Sequence, residues 1–403
     1  MRKLTINNFG PVSNAELDLK AVNLFIGEQS VGKSTIAKLI TIVTDILSLT
    51  LVIRAGHNGW MDQLRAYGLD IYGEDDYHIK YEWENQGVRL LMTITKTEVV
   101  TSMTKGETTI ADPAEITKEL VQLKPIFHQE EYVNQIIAAL DATEGPEPKE
   151  AWSSLQNLFL NSIYIPAERS FFSCFSKALP ALNLVNESIP RYLLRFSLDY
   201  QNAKSVYSRF DTSLLNVTYE YDGSGDFFID HSSGHRYLLS YASSGIQSTM
   251  PLLLVIEYAV NKREYSSFVI EEPETNLFPN KQVELLRHIL KTVRGGRSLT
   301  ITTHSPYLLS ALNNSLFAGL LLKRFGEKVD KEISNVLDKD CVLFSDDCSV
   351  YSLGDSVNGE GVYCKSVMDP ETGMIDSNAL DSVSLSLSAE FGKLEDVLLA
   401  HNG

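Results

Sequence analysis

Short apolar runs separated by turn residues fill the first hundred positions of the chain. Residues 4–9 and 15–19 alternate apolar and polar side chains on either side of Gly10-Pro11, which predicts a β-hairpin. Residues 22–26 (VNLFI) are nearly continuous in apolar character, the pattern of a buried strand, and residues 36–47 behind them follow a helical pattern. The alternating stretches 78–84 and 88–97, joined by Asn85-Gln86-Gly87, predict antiparallel strands. Residues 114–140 read as helix, and 142–149, with Gly145, Pro146 and Pro148, as a linker. Further on come an apolar strand at 161–166, a mostly helical stretch at 171–204, and strand pairs over 214–238 around turns at 222–225 and 231–235. Strand and helix then alternate up to about 322, with helices at 250–260 and 280–292 and buried strands at 268–270 and 299–303. Residues 384–400 predict an amphipathic helix suited to docking.

The pattern is α/β and divides into four stretches. These are a first core part at 1–50, inserted strands and a helical lobe at 51–160, a second core part at 161–322, and an α/β extension at 323–403. A length of 403 residues with 44% hydrophobic content supports a large core in two or three structural units. No run of 18 apolar residues occurs, so no membrane-spanning helix is expected. The first residues enter a strand pattern directly, which leaves no room for a signal peptide. Cys174, Cys341, Cys348 and Cys364 include no C-x-x-C pair, which argues against zinc and for a reduced, cytoplasmic chain. The net charge of −17 lowers the expectation of autonomous DNA binding, although DNA held by an assembled dimer stays open. The small basic groups Lys291/Arg294/Arg297 and Arg191/Arg195 read as solvated helix faces.

Residues 27–35 read GEQSVGKST, a G-x-x-x-x-G-K-[S/T] loop between the strand of 22–26 and the helix of 36–47. Gly27 and Gly32 let the backbone of Glu28, Gln29, Ser30 and Val31 curl so that N–H groups point at phosphate oxygens. Lys33 brings a point charge to the β- and γ-phosphates, Ser34 offers a hydroxyl to Mg²⁺, and Thr35 opens the helix whose positive end faces the anion. ATP and Mg²⁺ are the expected ligands.

Turnover needs a metal-holding acid and a base. Residues 266–274 (SSFVIEEPE) are a buried strand ending in two carboxylates. Glu271 is placed to hold a Mg²⁺-bound water and Glu272 to act as general base, while Glu274 orients neighbours. The strand at 299–303 is followed by His304, at the sheet edge where ligands of parallel sheets lie, beside the γ-phosphate. Residues 240–248 (SYASSGIQS) precede a long apolar helix. Ser244 and Gly245 at its start make either an anion site or an ordinary helix cap.

Together these segments resemble the ABC-type ATPase heads of the SMC, RecF and OLD families, the SMC-like AAA ATPases. The resemblance rests on the order Walker A (27–35), signature (243–247), Walker B (268–272), D-loop (275–277) and switch His304, over roughly 1–322. EEPETNLFP and the segment YIPAER (164–169) are similar to stretches of OLD- and RecF-like ATPases, with Glu168 near the Q-loop position. The chain departs from the usual pattern in three places: SSGIQ for LSGGQ, Glu271 for Asp, and Asn276 and Phe278 where histidines are common.

The resemblance implies a P-loop NTPase of the ABC/SMC-head type, with a mixed central sheet, an antiparallel β subdomain and a helical lobe. It also implies a head-to-head dimer in which Ser244, Gly245 and Gln247 of one subunit meet the nucleotide on Lys33 of the other. Without sustained heptads or a Toprim pattern, the expected function is control of a separately encoded effector, a nuclease or toxin, in bacterial anti-phage defence. The alternative is a RecF-like repair ATPase that clamps DNA. No membrane partner is expected.

Overall fold

The computed structural model describes residues 1–85, 87–122, 162–175, 189–262, 265–293, 295–354 and 361–376. The predicted linker at 142–149, the later part of the 114–140 helix and the 384–400 helix lie outside them.

The predicted hairpin is present as β1 (Arg2–Phe9) and β2 (Val12–Asp18). The free edge of β1 pairs with β4 (His78–Asn85), and the sheet continues through β5 (Val88–Thr95), β6 (Val99–Lys105) and β7 (Thr108–Ile110). Alternation made β5 easy to recognise, because Val88, Leu90, Met92 and Ile94 are all buried. In β6 only Met103 is buried, so the sequence carries little strand signal there.

A second six-stranded sheet holds the chemistry. Its order is β16 (Cys364–Ser366), β15 (Cys348–Leu353), β3 (Val22–Gly27), β14 (Ser298–Thr303), β13 (Ser267–Glu271) and β8 (Ser162–Ile165). All neighbours are parallel except β16, so the sheet is mixed as expected. Its parallel strands are buried nearly throughout, which is why they read as continuous apolar runs. Gly27, Glu271 and Thr303 end their strands on the same sheet edge. Successive β3 side chains serve two cores: Val22 and Leu24 one, Phe25 the other.

A third, antiparallel sheet has the order β12 (Arg236–Leu238), β11 (Asp226–Asp230), β10 (Val217–Tyr221) and β9 (Arg209–Thr212). A buried ion pair, Lys204 to Asp226 at 3.2 Å, ties it to the helix Arg191–Val206. The sheets cross the sequence boundaries drawn above. β4 pairs with β1 across residue 50, and β15 pairs with β3 across residue 322. The reason is that β1 and β3 each have two edges whose backbone groups require partners.

The helix behind β3 spans Lys33–Thr44 and stops earlier than its apolar pattern suggests. Asp45 takes an extended conformation and caps the next helix, Ile46–Tyr67, by accepting from Ser48 N at 2.8 Å. That second helix was not foreseen. It carries Gly56 in a non-helical conformation, and glycine inside a helical pattern weakens the signal. Three of the basic residues are engaged locally: Arg195 with Asp199, Lys291 with Asp338, and Arg297 with the carbonyls of Tyr265 and Val260. Among the described residues no single helix is long and apolar enough to cross a membrane.

Candidate functional site

Gly32 opens the phosphate loop into the helix Lys33–Thr44 at φ 92°, a conformation that favours glycine. A Cβ there would lie 2.7 Å from the Tyr363 hydroxyl, which donates to Val31 O and roofs the loop. No side chain caps the helix, which leaves its first N–H groups for an anion. Glu28, Gln29, Ser30 and Ser34 are exposed, Val31 is half-buried, and Thr35 is buried in the helix.

The strand ends bring Lys33, His304 and Glu272 into one line. Lys33 Nζ donates to Gly27 O (2.9 Å) and Glu28 O (2.6 Å) and lies 3.4 Å from His304 Nδ1. His304 Nε2 lies 3.1 Å from Glu272 Oε1. One neutral tautomer satisfies both contacts, with Nε2–H donating to Glu272 and Nδ1 accepting from Lys33. Glu274, read as an orienting residue, holds the histidine from behind. Its Oε1 accepts from Thr303 Oγ1 at 2.6 Å and from His304 N at 2.8 Å. Burial lowers the Lys33 pKa to about 8, against the opposing pull of Glu272, Glu274 and Glu271.

Glu271 and Glu272 are adjacent but differ in environment. Glu271 is 4% exposed, and burial raises its pKa, with the Ser34 and Tyr164 hydroxyls and Lys38 pulling the other way. Its Oε1 nevertheless completes no hydrogen bond. An orphaned carboxylate oxygen buried beside a serine hydroxyl suits a hard cation, which takes oxygen ligands and draws the rest from phosphate and water. The donors therefore fit Mg²⁺, with Ser34 and Glu271 as its holders. Glu272 is half-exposed and sits at φ 41°, a strained value for a residue with a side chain.

Ser244 and Gly245 begin the helix Ser244–Lys262. Ser244 is exposed, and Gly245 is pressed against the D-loop, where a Cβ would lie 2.8 Å from Asn276 O. Ser248 Oγ donates to Thr275 O at 3.1 Å. Contacts of this segment thus run to the D-loop and to the helix Arg169–Cys174. Gln247 holds its own loop: its Nε2 donates to Ser240 O and Ala242 O, and its Oε1 accepts from Cys174 Sγ at 3.3 Å.

Two residues escaped the sequence reading. Arg169, 0% exposed, donates to the carbonyls of Pro166 (2.6 Å), Glu271 (2.5 Å), Glu272 (2.8 Å) and Ser248 (3.2 Å). Burial lowers its pKa to about 10. Ser173, one turn later, donates to Gln247 O at 2.6 Å. That carbonyl would ordinarily take the N–H of residue 251, but Pro251 has none. A proline inside a predicted helix was the available signal for Ser173. For Arg169 it was a cation directly after a buried strand.

The family model of the AAA ATPase domain matches residues 1–139 and 134–309. A DNA double-strand break repair Rad50 ATPase of Sulfurisphaera tokodaii is 26% identical over 132 residues, 32% of this chain and 15% of that protein's length. Among solved structures, the SMC head domain from Thermotoga maritima has 13% identity and a TM-score of 0.36, over 77% of this chain and 90% of that one. An Smc head bound to the C-winged helix domain of ScpA has 10% identity and a TM-score of 0.38, over 91% of this chain and 96% of that one.

Proposed function

The chain belongs to the AAA ATPase domain family, and on that premise we propose that it hydrolyses ATP to ADP and phosphate in a site completed by a second copy. The observation that carries the reading is the line Lys33–His304–Glu272 beside the orphaned Glu271 Oε1. The phosphate-loop N–H groups and Lys33 bind the β- and γ-phosphates. Mg²⁺, held through Ser34 and Glu271, supplies charge neutralisation on the phosphate oxygens when bound. Glu272 takes a proton from the attacking water as its oxygen bonds to the γ-phosphorus, and the bond from that phosphorus to the β–γ bridging oxygen breaks to release ADP. His304 orients Glu272 through its Nε2, and Glu274 orients His304.

Exposed Ser244, at the start of a helix whose first turns bond to Thr275 and Ser173, supports the composite arrangement. In it, the signature helix start of one copy closes on the γ-phosphate held by the other. ATP is then the interface and hydrolysis its release. We extend the reading to control of a separately encoded effector, a nuclease or toxin, in anti-phage defence. What supports this is the resemblance of EEPETNLFP and YIPAER to OLD- and RecF-like ATPases, together with the absence of sustained heptads or a Toprim pattern in the sequence. The DNA-clamping alternative draws on the same resemblance, which RecF-like ATPases share, and on the repair function in the printed name of the Rad50 relative. Of the basic residues considered for it, Arg195, Lys291 and Arg297 are engaged locally. The test is Glu272→Gln: the variant is expected to bind ATP, lose turnover and elute as a dimer only with ATP. Wild-type protein without ATP turnover, or a Glu272→Gln protein that stays monomeric with ATP, sinks the reading.

A further inference from the structure

Arg169 touches both halves of the machinery within one chain. Its Nε donates to Ser248 O in the first turns of the signature helix, and its two terminal nitrogens donate to Glu271 O and Glu272 O at the end of β13. A guanidinium is a planar fork, so these bonds fix the angle between the signature helix and the strand end as well as the distance. Ser173, four residues along the same short helix, adds a second bond to the signature helix through Gln247 O. Glu272, the residue at the far end of this link, is held at a strained φ of 41°. Such a conformation persists only where its surroundings over-determine it. Thr275 Oγ1 supplies a further bond to Glu272 O at 2.9 Å.

We propose that Arg169 is a positioning residue that sets the peptide of Glu272 according to the placement of the signature helix. The inference rests on the composite-site reading. There the signature helix of a chain meets the partner's nucleotide, while its own Glu272 acts on its own nucleotide. Arg169 therefore makes hydrolysis in one site depend on closure over the other. This role needs no contact between Arg169 and ATP, and it leaves the binding loop around Lys33 untouched.

The test is Arg169→Lys in the full chain, which keeps the charge and removes the fork. The folded variant is expected to bind a fluorescent ATP analogue with the wild-type Kd. In a Glu272→Gln background it is expected to pair with ATP as the single Glu272→Gln protein does. Its kcat should fall by about tenfold to a hundredfold, the cost of a misplaced reacting group, with KM little changed. The sigmoidal dependence of rate on ATP that the composite site predicts for the wild type should become hyperbolic in the variant. Arg169→Gln is made in parallel. A folded Arg169→Lys protein with wild-type kcat and cooperativity overturns the proposal. So does a loss of nucleotide affinity that matches the loss of kcat, and so does a failure of both variants to fold, which assigns Arg169 to the core alone. Failure of Glu272→Gln to pair in the presence of native Arg169 strikes the composite-site reading instead.

Discussion

Ser173 should matter only because residue 251 is a proline. In the native chain the Ser173 hydroxyl, on a residue 2% exposed, takes the place of the N–H that Pro251 lacks and satisfies Gln247 O at 2.6 Å. Ser173→Ala removes that donor and leaves the carbonyl unsatisfied, which costs about 1–3 kcal/mol. Pro251→Ala restores a backbone N–H four residues after Gln247, so the carbonyl regains a helical partner. In that background Ser173→Ala should cost no more than an ordinary redundant hydrogen bond, about 0.5–1 kcal/mol. The coupling energy of the double-mutant cycle is then about 1 kcal/mol, above the ~0.3–0.5 kcal/mol scatter of independent sites. The packing change made by removing the proline ring cancels in the cycle. The assay is urea unfolding of the four proteins without nucleotide, compared at constant m. Additive effects would refute the reasoning, because the Gln247 carbonyl would then not be what Ser173 serves.

Two further outcomes follow from the site. Lys33 has a folded pKa of about 8, below its unfolded value, so the folded chain holds fewer protons between about 8 and 10.5 and is stabilised by this group as pH rises through that window. ATP favours the charged amine, so binding should take up close to one proton at pH 9 and almost none at pH 7, read by calorimetry in buffers of different ionisation enthalpy. A binding enthalpy independent of buffer at pH 9 contradicts this. Gly245→Ala places a Cβ about where Asn276 O now stands, so the D-loop must move. Nucleotide binding should survive while ATP-dependent pairing weakens by about tenfold or more, equivalent to about 1.4 kcal/mol, measured by sedimentation. Unchanged pairing contradicts the close approach.

The candidate site was readable where chemistry is local in sequence. The loop from Gly27 to Thr35 carries its own geometry, and Glu271, Glu272 and His304 sit at the ends of strands whose burial shows as apolar runs. Their convergence follows from parallel pairing, which a general rule supplies. The role of Arg169 was not readable, because its acceptors are backbone carbonyls, which any sequence would provide, and they lie as far as 103 residues away. The six-stranded antiparallel sheet was half legible. Strong alternation revealed β5, and the weakly buried β6 stayed hidden. Glu274 was read as an orienting residue by adjacency, but its bonds to Thr303 and His304 needed the fold.

The roof over the phosphate loop has a consequence for synthesis. Tyr363 meets Val31 across 332 residues, and β15 brings Leu353 into register with Gly27. A ribosome adding about 5–20 residues per second makes the loop tens of seconds before its roof exists. During that interval the nascent chain carries a nucleotide motif with both flanks of β3 unpaired until β14 is made, and one until β15 follows. Completion of the binding loop is thereby tied to synthesis through Tyr363, so polypeptides that stop short of it should be poor competitors for ATP and poor partners for longer ones.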